Sequence, residues 1–156
     1  MTNPIEQAHQ ALLARLGQIV PANGYCTDAG TRIREGWLQD ILAQDDVTFP
    51  LIAVQPAVYL PGADGPGADL WRIGRRVVGA VDPGAGDDYR QLLDELFFDL
   101  AACLQVQPGM PNPWGQFGPR RVSIEPSQLF APAEGLRAGT VLFPIQLHVV
   151  IRGKDT

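Results

Sequence analysis

The side chains that could do chemistry in this chain are few and widely spaced. His148 lies in "GTVLFPIQLHVVIRG", where strand alternation puts it with Gln146 and Arg152 on the face opposite Val141, Phe143, Ile145, Leu147, Val149 and Ile151. An imidazole placed there becomes a general base only if acids or a hydroxyl reach it from elsewhere in the fold. The other histidine, His9, falls on an N-terminal helix. Cys26 and Cys103 are far apart, in no CxxC or Cys/His ligand spacing, so neither a disulfide framework nor a zinc site is indicated and a reducing compartment fits. Cys26 has no adjacent His or cation to activate it, and Cys103 reads as a small core residue. The acid pairs Asp45-Asp46 and Asp87-Asp88 are consecutive and diverge, and the Gly-rich pieces "PGADGPGAD" and "DPGAGDD" lack the Lys-Ser/Thr of a phosphate loop. No catalytic, metal-binding or cofactor-binding residue is therefore expected. A small hydrolase or ligand-binding domain using His148 and acids brought near it is the alternative reading.

The densest charge is arginine. "LWRIGRRVVGAV" holds Arg72, Arg75 and Arg76; alternation puts Trp71, Ile73, Val77 and Val81 on one face with Arg75 as the odd member, and Arg72 with Arg76 on the other. Such a patch can grip nucleic acid, an anionic ligand or the carboxylates of a protein. The chain as a whole carries a formal charge of -5, so its field repels DNA and anionic membrane, and a protein partner is favoured. Trp71 and Trp114 could stack on bases, but Trp71 is in register with apolar positions. Trp114 sits with Phe117 in a Pro-rich segment suited to docking on another protein.

The elements that must position these groups follow from periodicity. Asn3, Pro4 and Glu6 form a helix start, and Ile5, Ala8, Leu12, Leu16 and Ile19 continue it to about residue 19. Residues 25–27 and 31–36 read as extended pieces around an Asp28-Ala29-Gly30 turn, a hairpin or bend. Residues 37–48 read as one or two helical turns or an excursion. "FPLIAV", 49–54, reads as a strand buried on both faces, with Pro50 and Pro56 at its ends or in bulges. The PGAD repeat over 61–69 reads as a mobile projecting loop, so the strands flanking it form a long hairpin. Asp87 or Asp88 can cap a second helix whose apolar set is Tyr89, Leu92, Leu93, Leu96, Phe97, Leu100 and Leu104, with Asp94, Glu95 and Asp99 on its surface. A loop over 107–120, a strand near 121–125 and the alternating last strand complete the chain. Strands joined mostly by turns predict an α+β fold, an antiparallel or mixed sheet with two main helices packed on one face. At 156 residues one domain spanning 1–156 is expected. The N-terminus has no signal-peptide pattern and no apolar run is long enough for a bilayer, so a soluble protein made in the cytoplasm is expected.

"PANGYCTDAGTRI", the following "FPLIAV", the acid-capped second helix and the alternating last strand, in this order, resemble tail terminator proteins of long-tailed bacteriophages. The most specific pieces are Gly24-Tyr25, Thr27-Asp28, Gly30, Ile33 and Pro50 to Val54. The long 37–48 and 107–120 segments depart from the pattern. The resemblance implies a virion protein, assembled in the host cytoplasm, whose copies form a hexameric ring on the head-proximal end of the tail tube. There it would stop tube polymerisation and present a surface for head joining. The implied partners are further copies of the chain, the tail tube protein and a head-tail connector protein, with DNA only as cargo passing through the ring. In that setting Arg72 and Arg76 are expected to meet carboxylates of a neighbouring copy, Asp94 and Asp99 being the candidates. Trp71 would pack inward, and Trp114 would belong to a docking loop.

Overall fold

The computed structural model describes residues 3–44, 46–65, 67–82, 89–132 and 138–154, the side chains of 63–65 excepted. Helix α1 (Pro4–Leu16) starts as its sequence dictates: the Asn3 side chain accepts a 2.8 Å bond from the Ile5 amide, and Pro4 occupies the first turn. It stops three residues before the expected end. Pro21 disfavours helical backbone at Val20, which is extended, and the chain tightens into turns; Ile19 nevertheless stays fully buried. Of the hairpin or bend expected around 28–30, the structure shows the bend, with no strand at 25–27. A short 3₁₀ turn at Ala29–Thr31 leads into β1 (Ile33–Glu35), which pairs in parallel with β2 (Leu51–Gly65). Between them the 37–48 excursion contains α2 (Leu38–Leu42).

β2 and β3 (Ala68–Val81) form the long antiparallel hairpin, and strand pairing runs to Gly65 and Ala68. The PGAD segment is thus the paired end of the hairpin rather than a free loop: the ladders on both sides draw it in against the local preference of its glycines and prolines. Proline is accommodated by irregularity: the register shifts between Pro56 and Tyr59 and again between Pro61 and Asp64. Helix α3 spans Tyr89–Leu104; its expected Asp87 or Asp88 cap lies outside the described residues. β4 (Arg121–Ile124), a short β5 (Gln128–Phe130) that sequence reading did not anticipate, and β6 (Gly139–Arg152) follow. The sheet order is β1-β2-β3-β6-β4, with β5 also on β6, and every pairing but the first is antiparallel. This is a mixed six-stranded sheet in an α+β fold.

α1 and α3 pack on one face of the sheet. The main core joins Leu12, Leu16, Leu96 and Leu100 of these helices to Ile73, Val77, Phe143, Ile145 and Leu147. Gly79 lets α3 approach: a Cβ there would lie 2.5 Å from the Leu96 side chain. The opposite face is covered at one end only, where Leu38 and Ile41 of α2 pack on Leu51, Ala53, Val78 and Ala80.

Candidate functional site

The uncovered part of that outer face carries the arginines. Arg72 on β3 stands opposite His148 on β6, and His148 stands opposite Arg121 on β4, so three basic side chains form one row across three strands. Arg76, four residues along β3 on the same face, is exposed and stands opposite Pro144 and Gln55. None of Arg72, Arg76 and Arg121 has an ion pair among the described residues. The Nε of Arg72 is buried with no hydrogen-bond partner there, an arrangement that leaves a donor uncompensated. The sequence placed Arg72 and Arg76 together on this face, and the structure does too.

His148 sits in that row with its Nε2 at 2.6 Å from the hydroxyl of Ser123. Burial first, then the charges of Arg121 and Arg72, holds the imidazole below its ordinary range, so it is neutral at pH 7. Activating a serine also requires a group that orients the imidazole and stabilises its charged form. Its charged neighbours in the row are cations, which oppose that charge. No acid bonds to His148 among the described residues, and Glu125 accepts from Gln146 instead, at 2.6 Å. Among the described residues, the acids that the hydrolase alternative needs at His148 are not bonded to it.

Arg75, the odd member of the inward set, is buried at 7% exposure on the helix side of the sheet. Its Nε donates to His9 Nδ1 at 3.2 Å, and one terminal nitrogen donates to the Tyr59 hydroxyl and the Gly74 carbonyl. His9 Nε2 in turn lies 2.5 Å from the Glu35 carboxylate. Because Arg75 can only donate, His9 Nδ1 must accept, so His9 Nε2 carries the proton toward Glu35. This chain ties α1, β1, β2 and β3 together at the floor of a 430 Å³ cleft that Trp37 and Glu6 also line. Alternation exposed the anomaly at Arg75; the partners, 16 to 66 residues away, left no sequence signal.

Two expected interface residues are not available. Asp99 has no exposure at all: its carboxylate accepts from the amides of Cys26 and Thr27, both at 2.8 Å, and from the Thr27 hydroxyl at 2.7 Å. It lies on the flank of α3 that meets the irregular 25–28 segment, where those amides have no strand to pair with. Trp114 is likewise buried, at 8%, under the Arg15 guanidinium, whose carbon lies 5.7 Å from the ring centroid. It anchors its Pro-rich loop to the body, and the large apolar side chains the loop exposes are Met110 and Phe117. Trp71 is half-buried and packs against the main core. Asp94 is exposed, with a 2.6 Å ion pair to Arg90 on its own helix.

Two of the further concavities bear on candidate site residues or on the outer face. One of 460 Å³ is lined by Cys26, Asp28, Phe49, Val81 and Leu92; local desolvation, then Asp99 and Glu95, pushes the Cys26 thiol up, which suits inertness rather than nucleophilic attack. The other, of 500 Å³, lies on the outer face between α2 and β5. Among the described residues no group of three His, Cys, Asp or Glu could hold a metal ion, and no helix is long and apolar enough to cross a membrane. No family model and no curated protein sequence matches the chain.

Proposed function

We propose that the chain is a structural subunit of a phage tail, closing with further copies into a ring on the head-proximal end of the tail tube, where it ends tube polymerisation and offers the surface for head joining. The observation that carries this reading is the inequality of the two sheet faces. One face is sealed by α1 and α3, while the other is left open beyond α2 and bears Arg72, Arg76 and Arg121 with no intramolecular counter-charge among the described residues. A ring requires a surface that complements a different surface on the next copy, and unlike faces on opposite sides of one sheet meet that geometric demand. An acidic chain that leaves Arg72, Arg76 and Arg121 together on one face without an acid is equipped to recognise carboxylates of a like chain.

Light scattering and negative-stain imaging test this with and without polymerising tail tube subunits. The expected result is a closed ring with a central channel, tubes capped at one end, and growth stopped there. A protein that stays monomeric and leaves tube length unchanged overturns the reading. A second reading, ester or amide hydrolysis, draws on the 2.6 Å Ser123 to His148 contact. Turnover of an activated ester that disappears in both Ser123→Ala and His148→Gln would favour it.

A further inference from the structure

The 500 Å³ groove on the outer face has apolar walls and a charged rim. Trp37, Leu38 and Gln55 line one side, and Val78, Phe130 and Leu142 the other. Trp37 and Phe130, 56% and 44% exposed, both line this one concavity, which makes a larger apolar patch than scattered exposed aromatics do. Arg76 lies two residues before Val78 on the same face and stands opposite Gln55, so the rim of the groove is cationic. Arg72 extends that charge four residues further along β3 on the same face.

On the other side of the molecule, α3 presents the complementary arrangement. Phe98 is 58% exposed at the middle of the helix, while its neighbour Phe97 packs against Phe143 in the core. Asp94 and Glu95 precede Phe98 by four and three residues, so both carboxylates stand one helical turn from the ring on the same side. This is an aromatic knob with acidic shoulders. Asp94 is held by Arg90 in an exposed pair, which a stronger partner can displace at little cost.

We infer that the groove receives α3 of a second copy of this chain, with Phe98 inserted between Trp37 and Phe130 and the Asp94-Glu95 shoulder against Arg76 and Arg72. The inference rests on the ring reading above and names its contact. Both surfaces belong to every copy and lie on opposite faces of the sheet, so one copy can give its helix to one neighbour and its groove to the other. The match is of two kinds at once: an exposed aromatic side chain for an apolar cavity, and acids for unpaired arginines. A central aromatic anchor with a charged rim is the distribution in which a few residues dominate affinity. The acids correct the earlier pairing, with Glu95 in place of the buried Asp99.

The test is ring assembly of the full chain followed by light scattering, with circular dichroism to show that each variant is folded. Phe98→Glu is expected to weaken assembly by about 100-fold, as loss of a central anchor does. Arg76→Glu and Asp94→Lys are each expected to weaken it by about tenfold at low salt, and the double variant to recover most of that loss, since opposite charges again face each other. Rings that ignore Phe98→Glu and show no charge-swap recovery overturn this docking while leaving the ring reading intact. Rings that persist in Arg76→Glu but no longer cap tubes assign the groove to the tube subunit instead of a second copy. A wild-type chain that remains a monomer even on tubes overturns both readings.

Discussion

A carboxylate with no exposure and three donors on it acts as a scaffold for the backbone around it. Asp99 supplies the hydrogen bonds that residues 26 and 27 would otherwise find in a strand. Asp99→Ala leaves two amides and a hydroxyl short of an acceptor, and the expected loss is about 3 kcal/mol in urea unfolding; Thr27→Val, which removes the hydroxyl alone, should cost about 1 kcal/mol. Sequence could not reveal this role, because an acid beside an apolar stripe looks solvated until its flank is known to face an irregular segment. The reverse holds for Arg75, whose inward register was legible as an anomaly, although nothing in the sequence connected it to His9. His148 provides a second prediction at this scale. Burial, Arg121 and Arg72 depress its folded value below the 6.5 of the free side chain, so the unfolded chain binds the proton more readily. Its contribution is therefore fully present above pH 6.5 and is lost as pH falls from there toward the depressed folded value. His148→Gln should flatten the stability profile across that window, and Arg72→Gln should move the imidazole resonances of His148 to titrate at higher pH.

The elements were legible where one periodicity dominated. α1, α3, β3 and β6 follow from 3.6- and 2-residue patterns, and the hairpin from two strands separated by a turn-rich segment. The failures lie where tertiary pairing overrides local preference. β1 finds a parallel partner in β2 across the 37–48 excursion, β5 is only three residues long, and the PGAD segment is drawn into the ladder by its neighbours on both sides. The closeness of α3 to the sheet leads to a prediction about elements. A methyl on Gly79 would lie 2.5 Å from Leu96 Cδ2, the end of a flexible side chain, whereas one on Gly74 would lie 2.3 Å from the Val58 carbonyl, which is backbone at the bulge. Gly79→Ala should cost about 2 kcal/mol by overpacking. Leu96→Ala alone should cost about 3 kcal/mol through its cavity, and the double variant should fall short of the sum, since each change relieves the other. Gly74→Ala should show no such relief with any shortening of Leu96. Chemical unfolding of the three single and two double variants measures the coupling directly.

At the scale of the whole molecule, charge sets two opposing tendencies. Every copy carries a net charge of -5, which repels its neighbours over long distances, while unpaired arginines on one face attract acids at contact distance. The two respond to salt over different ranges. The Debye length is about 30 Å at 0.01 M salt, about 10 Å at 0.1 M and about 3 Å at 1 M, so net repulsion between copies is screened well before contact pairs are. Assembly of the proposed ring is thus expected to strengthen between about 0.01 M and 0.1 M salt as the long-range term fades, and to weaken toward about 1 M as the contact pairs are screened. In the proposed docking the apolar seat of Phe98 would not be screened and would keep assembly from vanishing at high salt. Arg76→Glu should remove much of the decline at high salt and leave the rise at low salt in place. Sedimentation velocity across the series checks this. A wild-type curve that only rises would mean that the faces meet without arginine-carboxylate pairs, and one that only falls would mean that contact attraction exceeds net repulsion at every distance that matters.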